Sequence, residues 1–153
     1  LHVMNKEELS MHEANTMLNK HSGIQGLSGL SSDMREIEDV YDSNPQAKLA
    51  HDVFCYRLKK YIGAYAAAMG GLDVIVFTGG IGENSFKVRE NSLIGLDYMN
   101  IELDNEKNNT AKGECAIQKS NSKVKLLVIP TNEELVIALD TMKIVKSMDS
   151  KQK

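Results

Sequence analysis

An α/β domain built on a mixed sheet flanked by helices is the fold class predicted by this sequence, on three observations. Two short apolar runs, 72–77 (LDVIVF) and 124–129 (VKLLVI), are rich in Val, Ile and Leu, as the strands of a covered sheet are. Around them apolar residues recur every three or four positions, the period of a helix with one buried stripe. Gly-rich turns stand where one period gives way to the other, at 70–71 and 79–82. Helices alternating with apolar strands pack as layers on a sheet rather than as a bundle or a sandwich.

Each element has its own signal. Two short helices are expected within 1–20, where Leu9, Met11, Ala14, Met17 and Leu18 make a helical pattern and Ser10 precedes Glu13 at capping-box spacing. Residues 21–32, rich in Gly and Ser, are expected to be a turn-dense connector. Asp33 then stands three residues before Glu36, which predicts a short helix over 33–40. The strongest helical pattern follows Asn44-Pro45, a cap and a first-turn proline. There Ala50, Phe54, Leu58, Tyr61, Tyr65 and Met69 form the expected buried stripe, and Gly70-Gly71 the stop.

The run 72–77 is expected to be a central strand buried on both faces. A Gly-rich turn follows, and then a helix over 86–93 capped by Asn84 or Ser85. Alternation over 99–103 predicts an edge strand, and 104–112 (DNEKNNTAK) a mobile polar loop. Residues 116–117 and 124–129 are expected to pair as a hairpin about Ser120-Asn121-Ser122, with Pro130 ending the second strand. A last helix opens with a Thr131–Glu134 capping box and carries Leu135, Ala138, Leu139, Met142 and Val145 as its buried stripe; 148–153 are expected to fray.

Composition bounds the function. The 153 residues are 42% apolar and 25% charged, the balance of one domain with its own core. A formal charge of −3 offers no basic field, so nucleic-acid binding by bulk charge is excluded. No apolar run approaches the roughly 20 residues of a membrane span, and no membrane partner is expected. Residues 1–15 lack the apolar stretch of a signal peptide. Cys55 and Cys115 stand apart without a C-x-x-C pair or clustered histidines, which favours a reducing, cytoplasmic setting over a disulfide framework or zinc site. The chain opens on Leu1, and its first nine residues read as the interior of a longer protein, so a fragment is expected.

Three places could carry chemistry. The string VIVFTGGIGENS has the order strand, glycine turn, helix, in which glycines let backbone approach a phosphate near free helical N–H groups. It lacks the Lys of a phosphate loop and the dinucleotide glycine spacing, so a simple tight turn remains the competing reading. In GLSGLSSDMR an acid and a base flank a loop-to-helix junction, but an N-cap role explains Asp33 by itself. Glu133 stands beyond the run 124–129 and, unlike Glu134, has no capping duty, which leaves it free for a cation. Ligands of open α/β sheets bind beyond the carboxyl ends of strands, where both Glu133 and the glycine turn would lie. His2, His12, His21 and His51 are not at metal-ligand spacing, Cys55 reads as a small buried residue, and Arg57, Lys59 and Lys60 as a solvated helix face.

FTGGIGENS, GLSGLSSDMR and VIPTNEELVIA, in that order and spacing, resemble the C-terminal portion of the acetate kinase (acetokinase) family, over about 1–145. The resemblance implies a ribonuclease H-like domain of the actin, Hsp70 and sugar kinase superfamily. It also implies ATP/ADP and Mg²⁺ as cofactors, and reversible phosphoryl transfer from ATP to acetate. Matched residue by residue, Asp33, Met34 and Arg35 fall on the family's adenosine-side contacts. Gly80, Ile81, Gly82, Glu83 and Asn84 fall on its second nucleotide segment, and Glu133 on its magnesium-associated glutamate; Val88 is expected to wall the adenine. Propionate kinases share much of this pattern, and butyrate kinases differ more in the glycine string.

Family members are well over twice this length. The resemblance therefore implies that 1–147 are a nucleotide-binding fragment, inactive alone, followed by a tail over 148–153. Groups that hold the acid and stabilise the transferring phosphoryl would lie elsewhere. A homodimer through this domain is implied as well. Two readings outside catalysis stand beside it: a module that binds nucleotide without turnover, and a piece whose task is association.

Overall fold

The computed structural model describes residues 2–151. Helices α1 (His2–Lys6), α2 (Met11–Lys20), α3 (Gly23–Ser28), α4 (Met34–Asp39) and α5 (Pro45–Met69) precede strand β1 (Val74–Phe77). Then come α6 (Gly79–Asn84), α7 (Phe86–Leu93), a 3₁₀ turn (Asp97–Met99), α8 (Asn105–Thr110), strands β2 (Cys115–Ala116) and β3 (Lys125–Val128), and α9 (Glu133–Lys151). The sheet is mixed, in the order β1-β3-β2. β1 runs parallel to β3, with Phe77 opposite Val128, and β2 antiparallel to it, with Cys115 opposite Val128.

The capping chemistry behaves as the sequence predicts. Glu13 accepts from the Ser10 backbone at 2.8 Å while its own N–H donates to the Ser10 hydroxyl, closing the box at α2. The Asn44 side chain accepts from Gln46 and Ala47, Pro45 fills the first position of α5, and Gly70 ends it in a left-handed conformation (φ 75°). Ser85 caps α7 through the Val88 N–H.

The structure departs from expectation in six places. β1 is an edge strand, not a central one, and Val74 (38% exposed) and Val76 (46%) leave one of its faces open. Residues 99–103 form the end of the 3₁₀ turn and a single bridge from Leu103 to Gln118, because Asn100 takes a left-handed conformation (φ 60°) that interrupts a strand. The expected connector 21–32 contains α3, and the expected mobile loop 104–112 contains α8, whose Asn108 is fully buried. In α5 the first half of the expected stripe holds, with Ala50 buried and Phe54 and Leu58 packed on the helical core, but Tyr61, Tyr65 and Met69 are exposed, and the helix also buries Ala47, His51, Cys55 and Ala66. Throughout α9 every side chain up to Met148 is exposed, so its expected stripe is not buried among the described residues. α9 is helical through Lys151, and of the expected frayed tail 148–153 the last two residues lie outside the described ones.

Two cores result. Phe77, Leu93, Ile101, Ile117, Leu126 and Val128 close over the sheet, while Met34, Ile37, Ala47, Cys55 and Val88 join α4, α5 and α7.

Two buried polar side chains tie these layers together. Arg89 of α7 is 2% exposed. Its Nη1 donates to the carbonyls of Gly82 and Glu83, both at 2.9 Å, its Nε to Asn108 Oδ1 at 2.7 Å and its Nη2 to the Asn108 carbonyl at 2.9 Å. Burial pulls its pKa below the ordinary guanidinium value, but four acceptors around the planar fork keep the cation satisfied. His51 of α5 is fully buried between Cys55, whose Sγ lies 3.7 Å from Nδ1, and Glu38 of α4, whose Oε1 lies 3.6 Å from Nε2. Burial, the largest influence, favours the neutral ring; the attraction of Cys55 and of the Glu38 carboxylate for the charged ring outweighs it and lifts the pKa to about 9.

Arg89→Met should destabilise the chain by about 3 kcal/mol in urea unfolding followed by circular dichroism, because buried carbonyls lose their donors; a change below about 1 kcal/mol would contradict the clamp. The His51 pKa is raised on folding, from 6.5 to about 9, so its contribution is full below 6.5 and lost as pH rises through 9. The melting temperature should therefore fall across that window, and His51→Gln should flatten the fall.

Candidate functional site

Three glycines after β1 have three different reasons to be glycine. Thr78 leaves the strand extended, and Gly79 turns the chain into α6 at φ +69°, a conformation that side chains resist. At Gly82 a Cβ would lie 3.1 Å from the Phe77 carbonyl carbon, so a side chain there would crowd the end of β1, onto which α6 folds back. Gly80 has neither constraint: its φ is ordinary, and a Cβ there would meet nothing within 4 Å. It faces open space at the rim of a cleft.

β1 and β3 are parallel, so the glycine segment and residues 129–133 leave the sheet at the same end. Glu83 fastens them together, its Oε1 accepting from the Thr131 N–H at 2.8 Å and hydroxyl at 3.2 Å. That bond diverts Thr131 from the capping box expected with Glu134. Asn132 caps α9 instead, accepting from Leu135 N–H at 3.0 Å. Glu133 begins α9 as an exposed carboxylate.

The facing wall is the start of α4. Asp33 is an N-cap, as local chemistry predicts, accepting from the Arg35 N–H at 2.9 Å. It is also paired with the Arg35 guanidinium, with Nη2 to Oδ2 at 2.5 Å. Hydrogen bonds from the Arg35 side chain, and then from its backbone, hold the Asp33 carboxyl at a pKa of about 2. One turn on, Glu38 accepts from the Ser85 hydroxyl across the gap, joining α4 to the cap of α7.

Between these walls lies a cleft of about 600 Å³, lined by Asp33, Met34, Arg35 and Glu38 on one side and Gly80, Ile81, Asn84 and Ser85 on the other. Two segments almost fifty residues apart are thus brought together, and six of the sequence-predicted residues line the cleft. Gly82, Glu83 and Glu133 do not: Gly82 faces Phe77, Glu83 holds Thr131, and Glu133 stands at the start of α9. Val88 is 1% exposed within the helical core, so it does not wall the cleft as expected. The sequence reading missed Glu38 and Ser85. For Glu38 the available signal was its place four residues after Met34, on the same helical face. Lys59, expected on a solvated face, donates to the Ile94 carbonyl at 2.5 Å. Among the described residues no three His, Cys, Asp or Glu side chains gather as a metal site. Nor is any helix among them long and apolar enough to cross a membrane.

Comparison with known proteins shows the family. The acetokinase family matches residues 1–139. Acetate kinase of Treponema denticola is 54% identical over 145 residues, which are 94% of this chain and 36% of that protein. Acetate kinase of Thermoanaerobacterium thermosaccharolyticum is 52% identical, over 96% of this chain and 37% of its own length. Among solved structures, Porphyromonas gingivalis acetate kinase superposes with a TM-score of 0.85 at 48% identity, covering 94% of this chain and 37% of that one. A propionate kinase from Francisella tularensis superposes at 0.80 and 38% identity, covering 90% and 35%. The mixed sheet flanked by helices is therefore the domain fold of these kinases, and the chain spans a little over a third of the length of the relatives it matches. With the family matched over nearly its whole length, this chain belongs to the acetokinase family.

Proposed function

We propose that this chain is the nucleotide-binding part of an ATP:acetate phosphotransferase, with ATP or ADP held in the cleft between the start of α4 and α6. The observation that carries this reading is Gly80, a glycine required by neither backbone angle nor packing, at the rim of a cleft whose volume suits a small-molecule ligand. A missing side chain there lets a ligand approach the backbone closely. Across the cleft Asp33 is ionised and fixed by Arg35, whose exposed guanidinium adds a cation at the rim. Asp33, Met34, Arg35, Gly80, Ile81 and Asn84 would line the nucleotide directly. Gly82 and Glu83 would act by shaping the turn that carries Gly80 and Ile81.

In the whole reaction a carboxylate oxygen of acetate bonds to the γ-phosphorus of ATP as the bond to the ADP oxygen breaks, giving acetyl phosphate and ADP. Such transfer depends on positioning and on stabilising charge at the phosphoryl group. Mg²⁺ commonly takes one or two protein carboxylates together with phosphate oxygens and water, and when bound it neutralises charge on the phosphates. Glu133, a single exposed carboxylate on a segment that Glu83 ties to the glycine turn, fits such a one-carboxylate role. The chain spans about 37% of its relatives' length, so the acid-binding and phosphoryl-stabilising groups would come from further chain. Propionate in place of acetate is the alternative, favoured by the likeness to a propionate kinase. The free cysteines fit a reducing, cytoplasmic setting.

The exposed apolar side chains of α9, and Tyr61, Tyr65 and Met69 of α5, favour association through this domain as a homodimer. A sedimentation mass that stays monomeric at every concentration would argue against it.

Calorimetric titration with Mg-ADP should show binding to the wild-type chain. Gly80→Leu, which adds a side chain in open space without disturbing φ, should weaken it at least tenfold with the melting temperature nearly unchanged. Equal affinity in the two proteins would contradict the site. In a coupled assay the chain alone should show no acetate- or propionate-dependent ATP consumption, whereas turnover at ordinary enzyme rates would overturn the assignment of the remaining groups to further chain.

A further inference from the structure

Two acids stand in the wall of the cleft, and they are not equivalent. Both carboxylate oxygens of Asp33 are engaged by Arg35, through its N–H and Nε at Oδ1 and its Nε and Nη2 at Oδ2. Glu38 uses only Oε1, which accepts from the Ser85 hydroxyl; Oε2 accepts from no described residue. The Glu38 side chain is 19% exposed and lines the cleft, opposite Gly80 and Ile81.

Behind Glu38 lies His51, fully buried, with Nε2 making no hydrogen bond and facing Glu38 Oε1 at 3.6 Å. Buried ring nitrogens are rarely left without a partner. Here the unpartnered nitrogen is aimed at the back of a cleft carboxylate, where an imidazolium favours the ionised acid. An ionised carboxylate only accepts hydrogen bonds. The cleft wall therefore carries an anionic acceptor whose second oxygen is unused.

We infer that Glu38 determines specificity at this cleft, accepting a hydrogen bond from a donor group of the bound nucleoside, a ribose hydroxyl or the exocyclic amine of the base, while Ser85 and His51 hold its other oxygen. The inference rests on the nucleotide reading above. It follows that a nucleotide lacking that donor, or presenting an acceptor there, binds less well because Oε2 is desolvated without a partner.

The test is titration of the wild-type chain and Glu38→Gln with ADP, 2′-deoxy-ADP, 3′-deoxy-ADP and IDP, each analogue removing one donor. The wild type should bind ADP at least tenfold more tightly than one of the analogues. Glu38→Gln, which keeps an oxygen for Ser85, should lose that margin while keeping a cooperative melt. Glu38→Asp keeps the charge but withdraws the carboxylate by one methylene, and gives the same readout should the glutamine variant fail to fold. A wild type that binds ADP but prefers it over none of the analogues, or a preference that survives in the variants, overturns the role of Glu38 and leaves the nucleotide reading standing. A wild type that binds no ADP overturns both.

Discussion

A buried guanidinium organises the cleft-bearing end of this domain. Arg89 reaches from α7 beneath the glycine turn, takes the carbonyls of Gly82 and Glu83, and anchors itself on Asn108 of α8. The turn carrying Gly80 and Ile81 is short and rich in glycine, so its own side chains do little to hold it. The clamp supplies the rigidity that glycine forfeits. From that fixed point two further links radiate: Glu83 holds Thr131 and so the start of α9, and Ser85, directly after α6, caps α7 while bonding Glu38 of the opposite wall. Both walls of the cleft and the segment bearing Glu133 are thus referred to one side chain.

The charge arrangement of the cleft follows from the same economy of partners. Asp33 is neutralised locally by Arg35, and Glu38 is backed by His51, so neither acid presents an uncompensated charge to an anionic ligand. Elsewhere apolar surface is open: one face of β1 is uncovered and the apolar side chains of α9 are exposed. Hydrophobic surface of that extent is normally covered. The cleft's internal bonding nevertheless closes upon itself within these residues.

Local chemistry was the legible part of the fold. Helix caps at Ser10, Asn44 and Ser85, the stop at Gly70, and the pairing of the two strands before Pro130 all depend on neighbours in sequence, and all appear as read. Burial was less legible, because an apolar run does not announce how many sides are covered. The β-branched run 74–77 reads as central but lies at an edge. The polar run 104–112 reads as a loop, but Asn108 answers a buried Arg89 nineteen residues away in sequence, a need invisible to any local window. In the site, the two motif strings were visible from glycine content and resemblance. Their convergence on one cleft required the packing of α4 and α7 against α5 and the bond between Glu38 and Ser85, forty-seven residues apart. Glycine content alone also could not separate Gly82, needed for packing, from Gly80, which packing does not need.

Whether the cleft between α4 and α6 is where nucleotide binds is tested most directly by backbone amide spectra of the ¹⁵N-labelled chain during titration with Mg-ADP. The amide shifts should be concentrated at 33–38 and 79–85, with those of α1 and α2 unmoved. Saturable shifts centred instead on the hollow between α3 and α5, around Leu27, Phe54 and Tyr61, would place the ligand elsewhere and contradict the assignment.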